Sequence, residues 1–171
     1  MTEPVETVWQ GKFITVRKQG TWEYVGRARG IQAAVILAVE AGEVLLVEQY
    51  RVPLGRNCIE LPAGLVGDET EGEAVTVSAA RELEEETGYR PAQIDVIGEF
   101  CSSPGMVSES FTLVRATGLT KVGDGGGVPG ENITVHRVAL AALPEFIAAK
   151  RAGGLAVDVK LLLLLGASIL G

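Results

Sequence analysis

Arg81-Glu82-Leu83-Glu84-Glu85-Glu86-Thr87-Gly88-Tyr89 is the stretch on which the reading of this chain turns. Four of its nine residues are glutamates, and Gly88, with Pro91 close behind, marks a helix end. Working back from it, residues 73–87 predict one helix, on which Val77, Ala80, Leu83 and Thr87 share a face. With Glu82 as the origin, Glu85 falls at about 300° and Glu86 at about 40°, so three carboxylates share an arc of about 100°. Glu84, at about 200°, points away. The expectation is a helix that packs one face on a sheet and presents three carboxylates on the other.

Stability alone does not favour that arrangement. Like charges three and four residues apart repel by about 0.2–0.5 kcal/mol per pair, and the helix dipole disfavours anions at the C-terminal end. A divalent cation reverses the sign, because carboxylate oxygens are the ligands that Mg²⁺ and Mn²⁺ prefer.

Outward from the helix, short β-rich runs at 7–9, 13–18 and 21–27 predict antiparallel strands. Residues 33–39 and 44–50 predict a hairpin around Glu40-Ala41-Gly42-Glu43. Further strands are expected at 58–61, 94–100, 111–115 and 133–138, and helices at 143–152 and 157–169. The run Gly123-Asp124-Gly125-Gly126-Gly127-Val128-Pro129-Gly130 is expected to be an irregular, mobile loop with few packed contacts. Strands, one central helix, more strands and late helices make an α/β (α+β) mixed-sheet sandwich, a single domain over 1–171.

Composition narrows the chemistry. Fifteen Lys and Arg against 22 Asp and Glu leave a net charge of −7, so nucleic acid and membrane surfaces are poor partners. An anionic substrate would need a local arginine cluster or a metal ion between it and the protein. Cys58 and Cys101 are expected to be buried free thiols, and His136, the sole histidine, a structural residue. Met1-Thr2-Glu3-Pro4 carries no targeting pattern and the apolar run after Leu155 is broken by Asp158 and Lys160, which predicts a cytoplasmic protein.

The helix segment resembles the second half of the Nudix box, G-x5-E-x7-R-E-U-x-E-E-x-G-U, with Arg81, Glu82, Leu83, Glu85, Glu86, Gly88 and Tyr89 at its fixed positions and Glu73 at the upstream glutamate. Gly67 completes the literal spacing. The favoured register instead uses Gly64, because Ile59-Glu60-Leu61-Pro62-Ala63-Gly64 is similar to the ADP-ribose pyrophosphatase subfamily, and places a three-residue insertion before Glu73. The resemblance implies a Nudix-type α/β/α sandwich, with residues 1–30 as dimer-forming N-terminal strands and 31–171 as the catalytic core.

It also implies roles. Glu82, Glu85 and Glu86, with the Ala63 carbonyl, would hold Mg²⁺ or Mn²⁺, and Arg81 and Glu73 would orient the box. Trp22 would stack on the base, while Arg27 and Arg51 would hold the diphosphate. Pro104, in Ser103-Pro104-Gly105, sits where the subfamily carries a downstream proline. Glu131 would be the general base, with Glu109 the second choice near the substrate. The implied activity is hydrolysis of ADP-ribose or a related ADP-sugar to AMP and ribose 5-phosphate by a homodimer. Another nucleoside diphosphate sugar such as GDP-mannose, or a non-catalytic ADP-ribose sensor, are the alternatives.

Overall fold

The hairpin centred on Ala41 and Gly42 organises the structure, a computed structural model that describes residues 3–28, 31–67 and 72–170. Its strands are β4 (Gln32–Glu40) and β5 (Glu43–Arg51), preceded by β1 (Glu6–Gln10), β2 (Ile14–Gln19) and β3 (Trp22–Arg27). After them come β6 (Arg56–Glu60), β7 (Ala63–Val66), α1 (Val75–Thr87), β8 (Tyr89–Arg90), β9 (Gln93–Cys101) and β10 (Ser110–Thr117). The chain ends with β11 (Thr120–Lys121), β12 (Thr134–Ala139), α2 (Leu143–Ala152), β13 (Ala156–Val157) and α3 (Leu162–Leu170).

β4 and β5 pair only beside the turn, Val39 with Val44 and Glu40 with Glu43, and then diverge. β4 goes on to pair with β7 and, in parallel, with β10, whose other edge carries β9. β5 pairs with β12 and β6, and β13 lies parallel beside β6. The mixed sheet expected from the sequence is therefore present. Strand alternation divides its apolar residues between two cores. Ala34, Ile36, Ala38 and Leu45 pack under Ala79 and Leu83 of α1. Val35, Leu46, Ile59 and Leu61 pack against Leu143, Ile147, Leu161 and Leu165 from the helices on the other side. Helix, sheet, helix is the layer order.

β1, β2 and β3 form a separate antiparallel sheet, tied to the body where the Val25 N–H donates to the Met106 carbonyl and the Ser108 N–H to that of Val25.

Several expectations need correction. The helix predicted over 73–87 begins at Val75, and Glu73 lies before it. Its buried residues are Ser78, Ala79, Leu83, Glu86 and Thr87, whereas Val77 is exposed. The carboxylates thus flank the packed face instead of lying opposite it. The last predicted helix is interrupted, with β13 and a 3₁₀ turn at Val159–Leu161 preceding α3. Cys58 is buried as expected, but Cys101, near the end of the edge strand β9, is exposed. The loop between Gly64 and Glu73, where a three-residue insertion is expected, includes residues 68–71, which lie outside the described residues.

Candidate active site

α1 crosses above β7, and the contact is close because of Gly64. A Cβ there would stand 2.0 Å from Cδ of Glu82, so only glycine lets that carboxylate lie against the strand. This agrees with the register that uses Gly64. One turn further along α1, Glu86 is 7% exposed and accepts a hydrogen bond from the Ala63 N–H at 3.0 Å. Burial pushes its carboxyl up to about 8; the Ala63 N–H opposes this, and the charges of Glu82 and Glu131 add to it.

Arg81 gathers the rest of the cluster. Its guanidinium lies 3.2 Å from Glu82, 3.4 Å from Glu85 and 3.6 Å from Glu73. Arg81 and Glu73, expected to orient the box, are thus in contact with each other. The Arg81 contacts also explain why, among the described residues, no three acidic, histidine or cysteine side chains stand gathered as a finished metal cage. Glu82 and Glu85 turn to Arg81, and Glu86 turns to the Ala63 amide. The donor set itself, three carboxylates with no sulfur or imidazole, is that of a hard divalent cation.

A cleft of about 350 Å³ opens beside this cluster. Arg27, Arg51, Ala63, Glu82, Glu86 and Glu131, which the sequence scatters over a hundred positions, all line it. Arg27 comes from the end of β3, Arg51 from the end of β5, and Glu131 from the loop before β12. Two residues not assigned from sequence belong here as well. Gln49 lines the wall, and Glu60 binds Arg51 through both oxygens, accepting from Nε at 2.6 Å and Nη2 at 2.9 Å. A signal for Glu60 existed: it is a charge set between the core residues Ile59 and Leu61.

Other expected residues stand elsewhere. Trp22 is 62% exposed and lies at the opposite end of β3 from Arg27, about 16 Å along a strand, so it does not line its own chain's cleft. Glu109 is engaged by Arg27, accepting from Nε at 2.7 Å. Glu85 is not among the residues that line the cleft and is held by Arg81. Glu84 points away as expected and binds Arg90, accepting from Nε at 2.7 Å and Nη2 at 2.8 Å. His136 sits in a polar cluster, its Nε2 3.0 Å from Glu48 and the Lys150 ammonium 2.7 Å from the same carboxylate. Burial alone would raise the Glu48 carboxyl, but hydrogen bonds from Lys150, Asn57 and His136 hold it at about 2.

The glycine loop is not loose throughout. The Gly126 and Gly127 amides donate to the Glu86 and Glu85 carbonyls at 2.9 and 3.0 Å, and the Val122 amide donates to that of Gly88 at 2.8 Å. These donors satisfy carbonyls that a helix end leaves unpaired, at the end where the carboxylates gather. The approach demands glycine on both sides, since a Cβ at Gly88 would lie 2.1 Å from the Gly123 carbonyl oxygen and one at Gly125 2.4 Å from the Thr87 carbonyl carbon. The expected mobile loop over 123–130 is thus anchored in its first half. Beyond it, the Ile133 amide closes back on the Gly126 carbonyl at 3.1 Å, and Glu131 accepts from the Val128 amide at 2.9 Å.

The NUDIX domain family profile matches residues 28–153. The chain belongs to the NUDIX domain family. Among curated proteins it is 37% identical over 119 residues to a methanol dehydrogenase activator of Bacillus methanolicus, covering 69% of this chain and 63% of that one. It is 41% identical over 87 residues to an ADP-ribose pyrophosphatase of Bacillus subtilis, covering 51% and 45%. These matches span about half of the relatives' length. A crystal structure titled ADP compounds hydrolase superposes with a TM-score of 0.70 at 22% identity, covering 86% of this chain and 82% of that one, and shares the fold.

Proposed function

We propose that this chain hydrolyses the diphosphate bond of ADP-ribose or a related ADP-sugar, adding water to give AMP and the sugar phosphate, which is ribose 5-phosphate when the substrate is ADP-ribose. The observation that carries the reading is the shared cleft: two arginines and three carboxylates meet in one space beside Gly64. Relatives named ADP-ribose pyrophosphatase and ADP-sugar pyrophosphatase, each about 40% identical over the matched part, support the substrate class.

Arg51 and Arg27 hold and orient the anionic diphosphate and partly neutralise it. Glu82, Glu85 and Glu86, with the Ala63 carbonyl, would hold Mg²⁺ or Mn²⁺. When bound, such a cation withdraws charge from the diphosphate oxygens and acidifies water. Glu131 lines the cleft from the loop bonded to the C-terminal end of α1 and takes the proton of the attacking water as general base. Glu109 serves by steadying Arg27. The side chain that stacks on the base, Trp22, reaches a cleft only from another copy of the chain, so the reading includes a homodimer.

The test is turnover of ADP-ribose, ADP-glucose, GDP-mannose and NADH, with Mg²⁺ and with EDTA, and with the products identified. ADP-ribose cleaved fastest to AMP supports the proposal. Preference for GDP-mannose moves the substrate class. Binding of ADP-ribose without turnover makes the protein a sensor.

A further inference from the structure

We propose that Glu60 is a positioning residue of the cleft, a buried clamp that aims the Arg51 guanidinium at the substrate diphosphate. The inference rests on the reading of the cleft as a diphosphate site.

Arg51 is the last residue of β5, and its carbonyl accepts the Gly55 N–H at 3.0 Å, so its backbone is fixed by the turn that follows. Its side chain is fixed from below. Both Glu60 oxygens are taken, at 2.6 and 2.9 Å, by Nε and Nη2. A guanidinium has five N–H donors, so two bonds to Glu60 leave three. The burial is graded: the Glu60 side chain is 9% exposed and that of Arg51 41%. The anion is inside, and the cation faces the cleft.

The clamp answers a specific hazard. Arg51 shares the cleft with Glu82, Glu86 and Glu131. A long, unrestrained arginine there would pair with one of those carboxylates, removing itself from the substrate and blocking the acidic cluster. Glu60 holds it by a planar two-point contact that lysine could not make. The arginine therefore meets the diphosphate already oriented, with little side-chain freedom left to lose on binding.

The experiment uses Glu60→Gln, Arg51→Ala and the double variant. ADP-ribose and inorganic pyrophosphate binding is measured calorimetrically in EDTA, and KM and kcat are measured with Mg²⁺. Glu60→Gln is expected to weaken binding and raise KM by about tenfold to a hundredfold, as a lost charge-assisted pair does, with kcat within about threefold of wild type. The double variant should be no worse than Arg51→Ala alone. Additive losses, or a lower melting temperature with unchanged affinity, would make Glu60 merely structural. If Glu60→Gln does not fold, the Arg51 Nε–H resonance of the wild type decides. Slow exchange with water supports the clamp, and fast exchange overturns it. If the wild type does not cleave ADP-ribose, the functional reading fails separately. Pyrophosphate binding that needs both Arg51 and Glu60 would still support the clamp, and binding indifferent to them would overturn it.

Discussion

Glu86 and Glu84 lie two positions apart on one helix, yet one is enclosed in the cleft and the other faces solvent with Arg90. Glu86→Gln is expected to lower turnover by orders of magnitude without loss of fold, and Glu84→Gln to leave it nearly unchanged. Steady-state kinetics on both variants, with circular dichroism as the fold check, reads this, and equal losses would refute the facial assignment. Gly64→Ala should act like a Glu82 variant, because its methyl group would occupy the place of that carboxylate. Glu86 also gives the metal-free protein a pH signature. Its carboxyl is raised from 4.5 to about 8, so the folded state binds the extra proton. Its stability contribution is fully present below about pH 4.5 and is lost as pH rises through about 8. In EDTA the difference between wild type and Glu86→Gln should therefore shrink or invert by roughly 2–4 kcal/mol from pH 4.5 to 8.5. Chemical denaturation at several pH values measures it, and Mg²⁺ should raise the melting temperature more at pH 8 than at pH 5.

α1 and the loop at 122–133 behave as one unit, because the loop supplies the donors that the helix end lacks. Gly125→Ala would force a methyl group into the Thr87 backbone from a positive φ, and should cost about 2–4 kcal/mol. Gly105→Ala, with open space around the position, should be within about 0.5 kcal/mol of wild type. Urea denaturation separates the two. Glu131 rides on the outer half of the same loop, so Glu131→Gln should lower kcat by about 10²–10⁴ with little change in ADP-ribose affinity. Near-normal kcat there, with loss in Glu109→Gln, would transfer the base to Glu109.

At the scale of the whole molecule, β1, β2 and β3 and the turn between the first two leave Val8, Trp9, Phe13, Ile14 and Trp22 exposed. Isolated exposed apolar residues are ordinary, but this many on one small sheet mark a contact surface. A dimer through it is expected, with Trp22 of one copy serving the other's cleft. Light scattering at micromolar concentration should give twice the chain mass, and Trp9→Ser with Phe13→Ser should give a monomer with a raised KM. A monomeric wild type would end the prediction.

The sequence by itself determined the helix, its carboxylate arc and the alternation of most strands. Each depends on neighbours within about seven positions, where periodicity and turn chemistry act. It also displayed the Glu82-Glu85-Glu86 spacing, because a single helix turn fixes those side chains relative to one another. Only the tertiary structure decided that Arg27, Arg51 and Glu131 meet, since that depends on three elements converging through long-range pairing. It likewise decided that Glu60 belongs to Arg51, that Glu86 is buried instead of solvated, and that Gly125 serves close approach instead of freedom. In each case the deciding quantity is what packs against a residue from far along the chain, and local pattern carries no record of that.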